Sequence, residues 1–176
     1  MEHWVFEPEL LKVYAKHYKT GEVILSELID KLDKSGKYGQ GFATAEYLAA
    51  SLLDMDYHVL DSVADNMNVM DFEKETFAKR DLIKQIPARY RTTYFNYIMG
   101  GGYTAGYYSY LWAEVLDVDA YDAFKETGNI FNTEVADKFR KYVLTPGSID
   151  DGMDMYKNFR GKELEIEPLL KNRGLK

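Results

Sequence analysis

Three consecutive glycines, Gly100, Gly101 and Gly102, sit inside a stretch that also holds Tyr90, Tyr94, Tyr97, Tyr103, Tyr107, Tyr108 and Tyr110. Glycine loses more conformational freedom on folding than any other residue, so a run of three implies unusual dihedrals or a close approach of backbone. Thr104 is placed to cap a following helix. On such a helix Tyr107 and Tyr110 are three apart and face one way, and Tyr103 lies four before Tyr107 on the same side. The 100–110 segment therefore reads as a glycine hinge followed by a row of phenols. A phenol is a neutral donor near pH 7 and can stabilise a developing oxyanion. Two readings stay open: a mobile loop carrying tyrosine donors to a substrate, or a tightly packed aromatic core helix entered by a glycine turn.

The rest of the chain predicts an all-α fold. Apolar residues recur at helical spacing over 7–18, with Pro8 suited to a first turn and Thr20-Gly21 closing it. The pattern repeats over 23–33 through Ile24, Leu25, Leu28, Ile29 and Leu32, and a turn is expected at 35–41. Further helices are expected at 43–60 (with Asp54 and Asp56 as polar interruptions), 71–83, 104–116, 119–127, 133–143 and 149–158, and a short turn at 167–173. Ser148, three residues before Asp151, is close to a capping box. Strand-like alternation is limited to 90–98. The 105–116 helix has few polar side chains, which implies burial on every side. It is either the central helix of the bundle or it meets something outside this chain.

Several function classes are excluded. There are no cysteines among the 176 residues, so disulfide and thiol chemistry are absent. A net charge of −7 argues against a general nucleic-acid binder. No apolar run reaches the roughly 18 residues of a membrane helix, and the N-terminus has no signal-peptide pattern. Gly100, Gly102 and Ala105 fit a loose dinucleotide fingerprint, but nothing nearby alternates strand with helix as a parallel sheet requires. His3, His17 and His58 form no H-E-x-x-H. His3 and Glu7 are a two-ligand pair at best, whereas catalytic zinc takes three protein ligands. His58 reads as a local hydrogen-bonding partner of the carboxylates on its helix. Lys79, Arg80, Lys84, Arg89 and Arg91, with Tyr90 between, suit a solvated face, a nucleic acid, or a peptide carboxylate gripped by an Arg fork.

The segment from Tyr94 to Leu116, Tyr-Phe-Asn-Tyr-Ile-Met-Gly-Gly-Gly-Tyr-Thr-Ala-Gly-Tyr-Tyr-Ser-Tyr-Leu-Trp-Ala-Glu-Val-Leu, resembles the glycine-rich loop and following helix of the thimet-oligopeptidase family of zinc metallopeptidases. Its triple glycine is most similar to the peptidyl-dipeptidase Dcp branch. Glu2-His-Trp-Val-Phe-Glu, Lys16-His-Tyr-Lys-Thr-Gly, Phe159-Arg-Gly-Lys and Leu169-Leu-Lys-Asn-Arg-Gly-Leu extend the likeness over essentially the whole chain.

The resemblance implies that residues 1–176 are the C-terminal part of the catalytic lobe of a larger, helical, two-lobed, zincin-like metallopeptidase. The zinc ligands and general base, on an H-E-x-x-H helix and a later Glu, would lie upstream, and that missing region together with the missing N-terminal lobe would be this chain's partners within the same protein. This chain would bind no zinc and be inactive alone. Resemblance also assigns Tyr107 and Tyr110 as the oxyanion-stabilising phenols, with Tyr97, Gly100, Gly101, Gly102 and Tyr103 lining the substrate. The implied mechanism is attack of zinc-bound water on a peptide carbonyl, with phenols stabilising the gem-diolate. Release of C-terminal dipeptides needs a carboxylate anchor, for which Arg89 and Arg91 are candidates. Tyr97 stands where the family usually has His. Peptides are the implied partners and the cytoplasm the expected location, with the periplasm open for the parent. A stand-alone helical peptide-binding module is the alternative.

Overall fold

Helix starts and stops here follow local chemistry. In the computed structural model, which describes residues 2–147 and 149–176, the helices are α1 (Pro8–Tyr14), α2 (Ser26–Lys37), α3 (Gln40–His58), α4 (Val69–Lys79), α5 (Asn96–Met99), α6 (Ser109–Lys125), α7 (Thr133–Phe139), α8 (Gly152–Arg160) and α9 (Glu167–Asn172). Short 3₁₀ turns cover His3–Phe6 and Thr92–Tyr94, and a π-helical turn, Arg140–Leu144, follows α7. Asn68, Asn132 and Asp151 cap α4, α7 and α8 by accepting hydrogen bonds from backbone N–H groups of the first turn. The expected Ser148 cap lies outside the described residues. Among the described residues there is no strand, only an isolated antiparallel bridge between Lys16 and Val23. Among the described residues no helix is long and apolar enough to cross a membrane.

The chain divides into two units, Gly39–Trp112 and a second made of Met1–Tyr38 with Ala113–Lys176. In the Gly39–Trp112 unit the core is Ala50, Leu53, Phe95, Ile98 and Tyr107, with Tyr47, Tyr57, Phe72, Phe77, Tyr90 and Tyr103 packed against it.

In the other unit, Ala120, Ala123 and Phe159 are covered by Val135, Phe139, Tyr142 and Val143. The buried Asp119 carboxylate accepts from Tyr156 and from Arg160, whose guanidinium also reaches Glu126. The N-terminal turn docks on α6. His3 Nε2 lies 2.9 Å from Asp117 and its ring stacks on Tyr121. The Trp4 indole donates to the Ile130 carbonyl at 2.8 Å and stands edge-on to Tyr121 and Phe124. Glu7 accepts the Tyr121 hydroxyl. The partners Asp117, Tyr121 and Lys125 are four apart, on one face of α6.

Four expectations change. The expected first helix stops at Tyr14, because the chain turns at Gly21 (φ +72°) and pairs Ile24 with Ala15 and His17 with Glu22. Helix α2 continues past Ser35 and Gly36 to Lys37, so the turn is confined to Tyr38-Gly39. The extended character at 90–98 becomes a 3₁₀ turn and one turn of helix. The helices expected at 104–116 and 119–127 are one helix that starts only at Ser109. Its first half is not buried all round, since Tyr110 and Trp112 are exposed and the buried positions begin at Val115.

Candidate functional site

The glycine–tyrosine segment forms a pinned turn rather than the start of a helix. Ile98 and Phe95 are sunk in the core. The turn is closed by Tyr103 N–H to the Tyr97 carbonyl at 3.1 Å and by the Thr104 hydroxyl to the Ile98 carbonyl at 3.0 Å. Thr104 therefore closes the loop and does not cap α6. Gly102 has φ +86°, which glycine adopts at little cost. A Cβ at Gly101 would stand 2.9 Å from Tyr97 Cα and 3.1 Å from two carbonyl oxygens, so there the need is close approach.

Two buried carboxylates hold this segment. Asp54, fully buried on α3, accepts the Ala105 N–H at 3.0 Å on one oxygen and the Tyr107 N–H at 2.9 Å on the other. Ala105 is left-handed at φ +52°, a conformation that costs a non-glycine residue about 1–2 kcal/mol. The bonds to Asp54 offset that cost. His58 Nδ1 lies 2.8 Å from both the carboxylate and the carbonyl of Asp54, the local role expected for it. Upstream, Glu73 on α4 accepts the Thr92 N–H at 3.0 Å and the Thr92 hydroxyl at 3.2 Å, and pairs with Arg91 at 2.7 Å. The Tyr47 hydroxyl donates to the Tyr107 carbonyl.

These restraints gather the phenols. The Tyr103 ring stacks on Tyr110 at 5.1 Å, and Tyr107 meets Tyr110 edge-on at 5.6 Å. Tyr97 lies 6.0 Å from Tyr103 and 6.3 Å from Tyr107. The expected row of phenols thus exists without helical phase, but it is divided. Tyr107 is 4% exposed and forms the hub between Tyr47, Tyr90, Phe95 and Tyr110, whereas Tyr110 is 45% exposed. Burial, with the neighbouring Tyr90 hydroxyl, pushes the Tyr107 phenol up to about 12. A hydrogen bond with Tyr103 pushes Tyr110 up to about 12 as well. Both remain protonated donors at neutral pH.

Of the two candidate anchors, Arg91 is tied to the buried Glu73. Arg89 makes a longer 3.5 Å pair with Glu46 and lies over the Tyr90 ring, at the edge of the tyrosine cluster. Arg80 is taken by Asp56. Among the described residues no three His, Asp or Glu side chains converge as a metal site. His3, His17 and His58 are engaged with Asp117, Thr20 and Asp54 respectively. Asp54, Glu73 and Tyr47 were not anticipated as site residues. The available signal was Asp54 itself, an acid in an apolar helix that must find donors once buried.

The model of peptidase family M3 matches residues 1–175. The chain belongs to peptidase family M3. Its relatives within that family include the dipeptidyl carboxypeptidase of Escherichia coli (strain K12), 38% identical over 175 residues that make up 99% of this chain and 26% of that protein. Oligopeptidase A of the same organism is 36% identical over 100% of this chain and 26% of its own length. Saccharolysin of Saccharomyces cerevisiae is 32% identical over 99% of this chain and 24% of its own. The M3 chain described here thus spans about a quarter of the length of the curated relatives it matches.

Proposed function

We propose that this M3 chain is the C-terminal, substrate-facing part of the catalytic lobe of a larger peptidase that releases dipeptides from peptide C-termini. The dipeptide specificity follows the relative named a dipeptidyl carboxypeptidase. The observation that carries the reading is Tyr110: exposed, stacked on Tyr103, and held as a protonated donor. A peptide carbonyl placed against Tyr110 receives a hydrogen bond that strengthens as negative charge builds on its oxygen. Tyr107, buried behind it, sets the position of Tyr110 and offers a second phenol if substrate binding opens the cluster. Gly100, Gly101, Gly102 and Tyr103 form the wall along which a peptide runs, and Tyr97 contributes a neutral hydroxyl. Arg89 is the better candidate for the peptide carboxylate, since the partner of Arg91 is a buried acid. In this reading zinc and its H-E-x-x-H ligands belong to the missing lobe region, and this chain alone is inactive.

The test is Tyr110→Phe in the whole peptidase. Loss of one oxyanion donor lowers turnover by about 10²–10³-fold, with KM for a short peptide nearly unchanged. An unchanged kcat would reject the donor role and favour a peptide-holding surface without catalysis.

A further inference from the structure

We infer that Asp54 is a positioning residue for the tyrosine site, acting through the backbone of Ala105 and Tyr107. The inference rests on the reading of Tyr110 as a substrate donor. Each carboxylate oxygen takes one N–H, at 3.0 and 2.9 Å, and His58 Nδ1 stands 2.8 Å from the first of them. The side chain is fully enclosed, so no water substitutes for a lost bond. Both amides lie in the turn between Gly102 and Ser109, the first residue of α6, on either side of Gly106. Their position fixes the left-handed Ala105 and, one turn on, where Tyr110 departs from the helix. The Tyr107 carbonyl is held separately by Tyr47. The two bonds to Asp54 are therefore what registers the loop of Tyr103 against the helix of Tyr110, whose rings stack at 5.1 Å. An asparagine keeps the shape but turns one acceptor into a donor facing an N–H, so it removes half of the clamp and leaves the packing.

The experiment uses the whole peptidase. In Asp54→Asn, amide exchange of peptides covering residues 103–108 should accelerate at least about tenfold while those covering 114–125 stay unchanged, the mark of a local opening. Turnover should fall at least about tenfold with KM within about threefold, the pattern of lost transition-state interaction. In a Tyr110→Phe background the same substitution should cost less than about twofold, because residues acting as one unit are not additive. Unaltered exchange at 103–108 in Asp54→Asn overturns the inference, and so does a turnover loss that multiplies fully with that of Tyr110→Phe. If Tyr110→Phe alone leaves turnover intact, the functional reading fails and the exchange arm still decides the clamp. Should Asp54→Asn not fold, the unmodified protein decides it: Ala105 and Tyr107 amides exchanging as slowly as α3 support the clamp, and exchange at the rate of an open loop overturns it.

Discussion

Gly100, Gly101 and Gly102 are adjacent but not equivalent. An added methyl at Gly101 meets the backbone of Asn96 and Tyr97, which can yield only by moving α5. At Gly102 there is open space, and the cost is the left-handed dihedral alone. At Gly100 the nearest atom is the Asn96 amide oxygen at 3.2 Å, on an exposed side chain that can swing away. Gly101→Ala should therefore destabilise by about 1–3 kcal/mol, as overpacking does, and displace Tyr97. Gly102→Ala should cost about 1–2 kcal/mol through its dihedral, and Gly100→Ala the least. Denaturant melts of the three variants give the order directly. A larger loss at Gly100 than at Gly101 would contradict the geometry. The sequence made the run of glycines visible, but not which one answers to crowding and which to dihedral. That depends on where Tyr97 lies, which is set by burial of Phe95 and Ile98. The phenols were legible as a group. The burial of Tyr107 was not, because a helical phase was assumed where Asp54 imposes a turn.

At the scale of elements, α6 and α8 are joined by a charge pair with almost no exposure, Asp119 with Arg160. Burial pushes the Asp119 carboxyl up, but the hydrogen bonds from Arg160 and Tyr156 outweigh it and leave it below the ordinary carboxylate range. A carboxyl lowered in the folded state adds stability above its unfolded pKa and loses it as pH falls through the folded value. Arg160→Met leaves the acid enclosed with its main partner gone and should cost about 3–5 kcal/mol near pH 7. The same variant should lose less further stability than the parent on acidification, because the linkage has been removed. Thermal melts at neutral and acidic pH test both statements. Apolar spacing located most helices, whereas the caps Asn68, Asn132 and Asp151 emerge only from the structure. Joins and ends were also less legible. The gap at 117–118, from Asp117 to just before Asp119, reads as a break between two helices. It stays helical because His3 and Arg160, distant in sequence, take the two acids.

For the molecule as a whole, the informative mismatch is α2. Its apolar stripe reads as a core face, yet only Ile29 is buried, and Leu25, at the N-cap, is 66% exposed, with Leu28 and Leu32 exposed beside it. Single exposed leucines are ordinary; a stripe at helical spacing is a patch that another surface can cover. With the chain equal to about a quarter of its relatives' length, the proposed larger peptidase would supply that cover. Mole for mole, the chain alone should enhance the fluorescence of an anilinonaphthalene sulfonate dye more than the whole peptidase does. Replacing Leu25, Leu28 and Leu32 by Gln should reduce the difference. Equal dye response from both proteins would count against it. The covering surface could not be read from these residues, because a stripe records that something packs there and not what. Each unit also carries its own optical reporter. Trp4 is wedged between Tyr121 and Phe124 with its indole hydrogen-bonded, whereas Trp112 opens to solvent at the end of the Gly39–Trp112 unit. Emission from the first is expected further to the blue than from the second, so Trp112→Phe and Trp4→Phe proteins separate the melting of one half from that of the other without any added label.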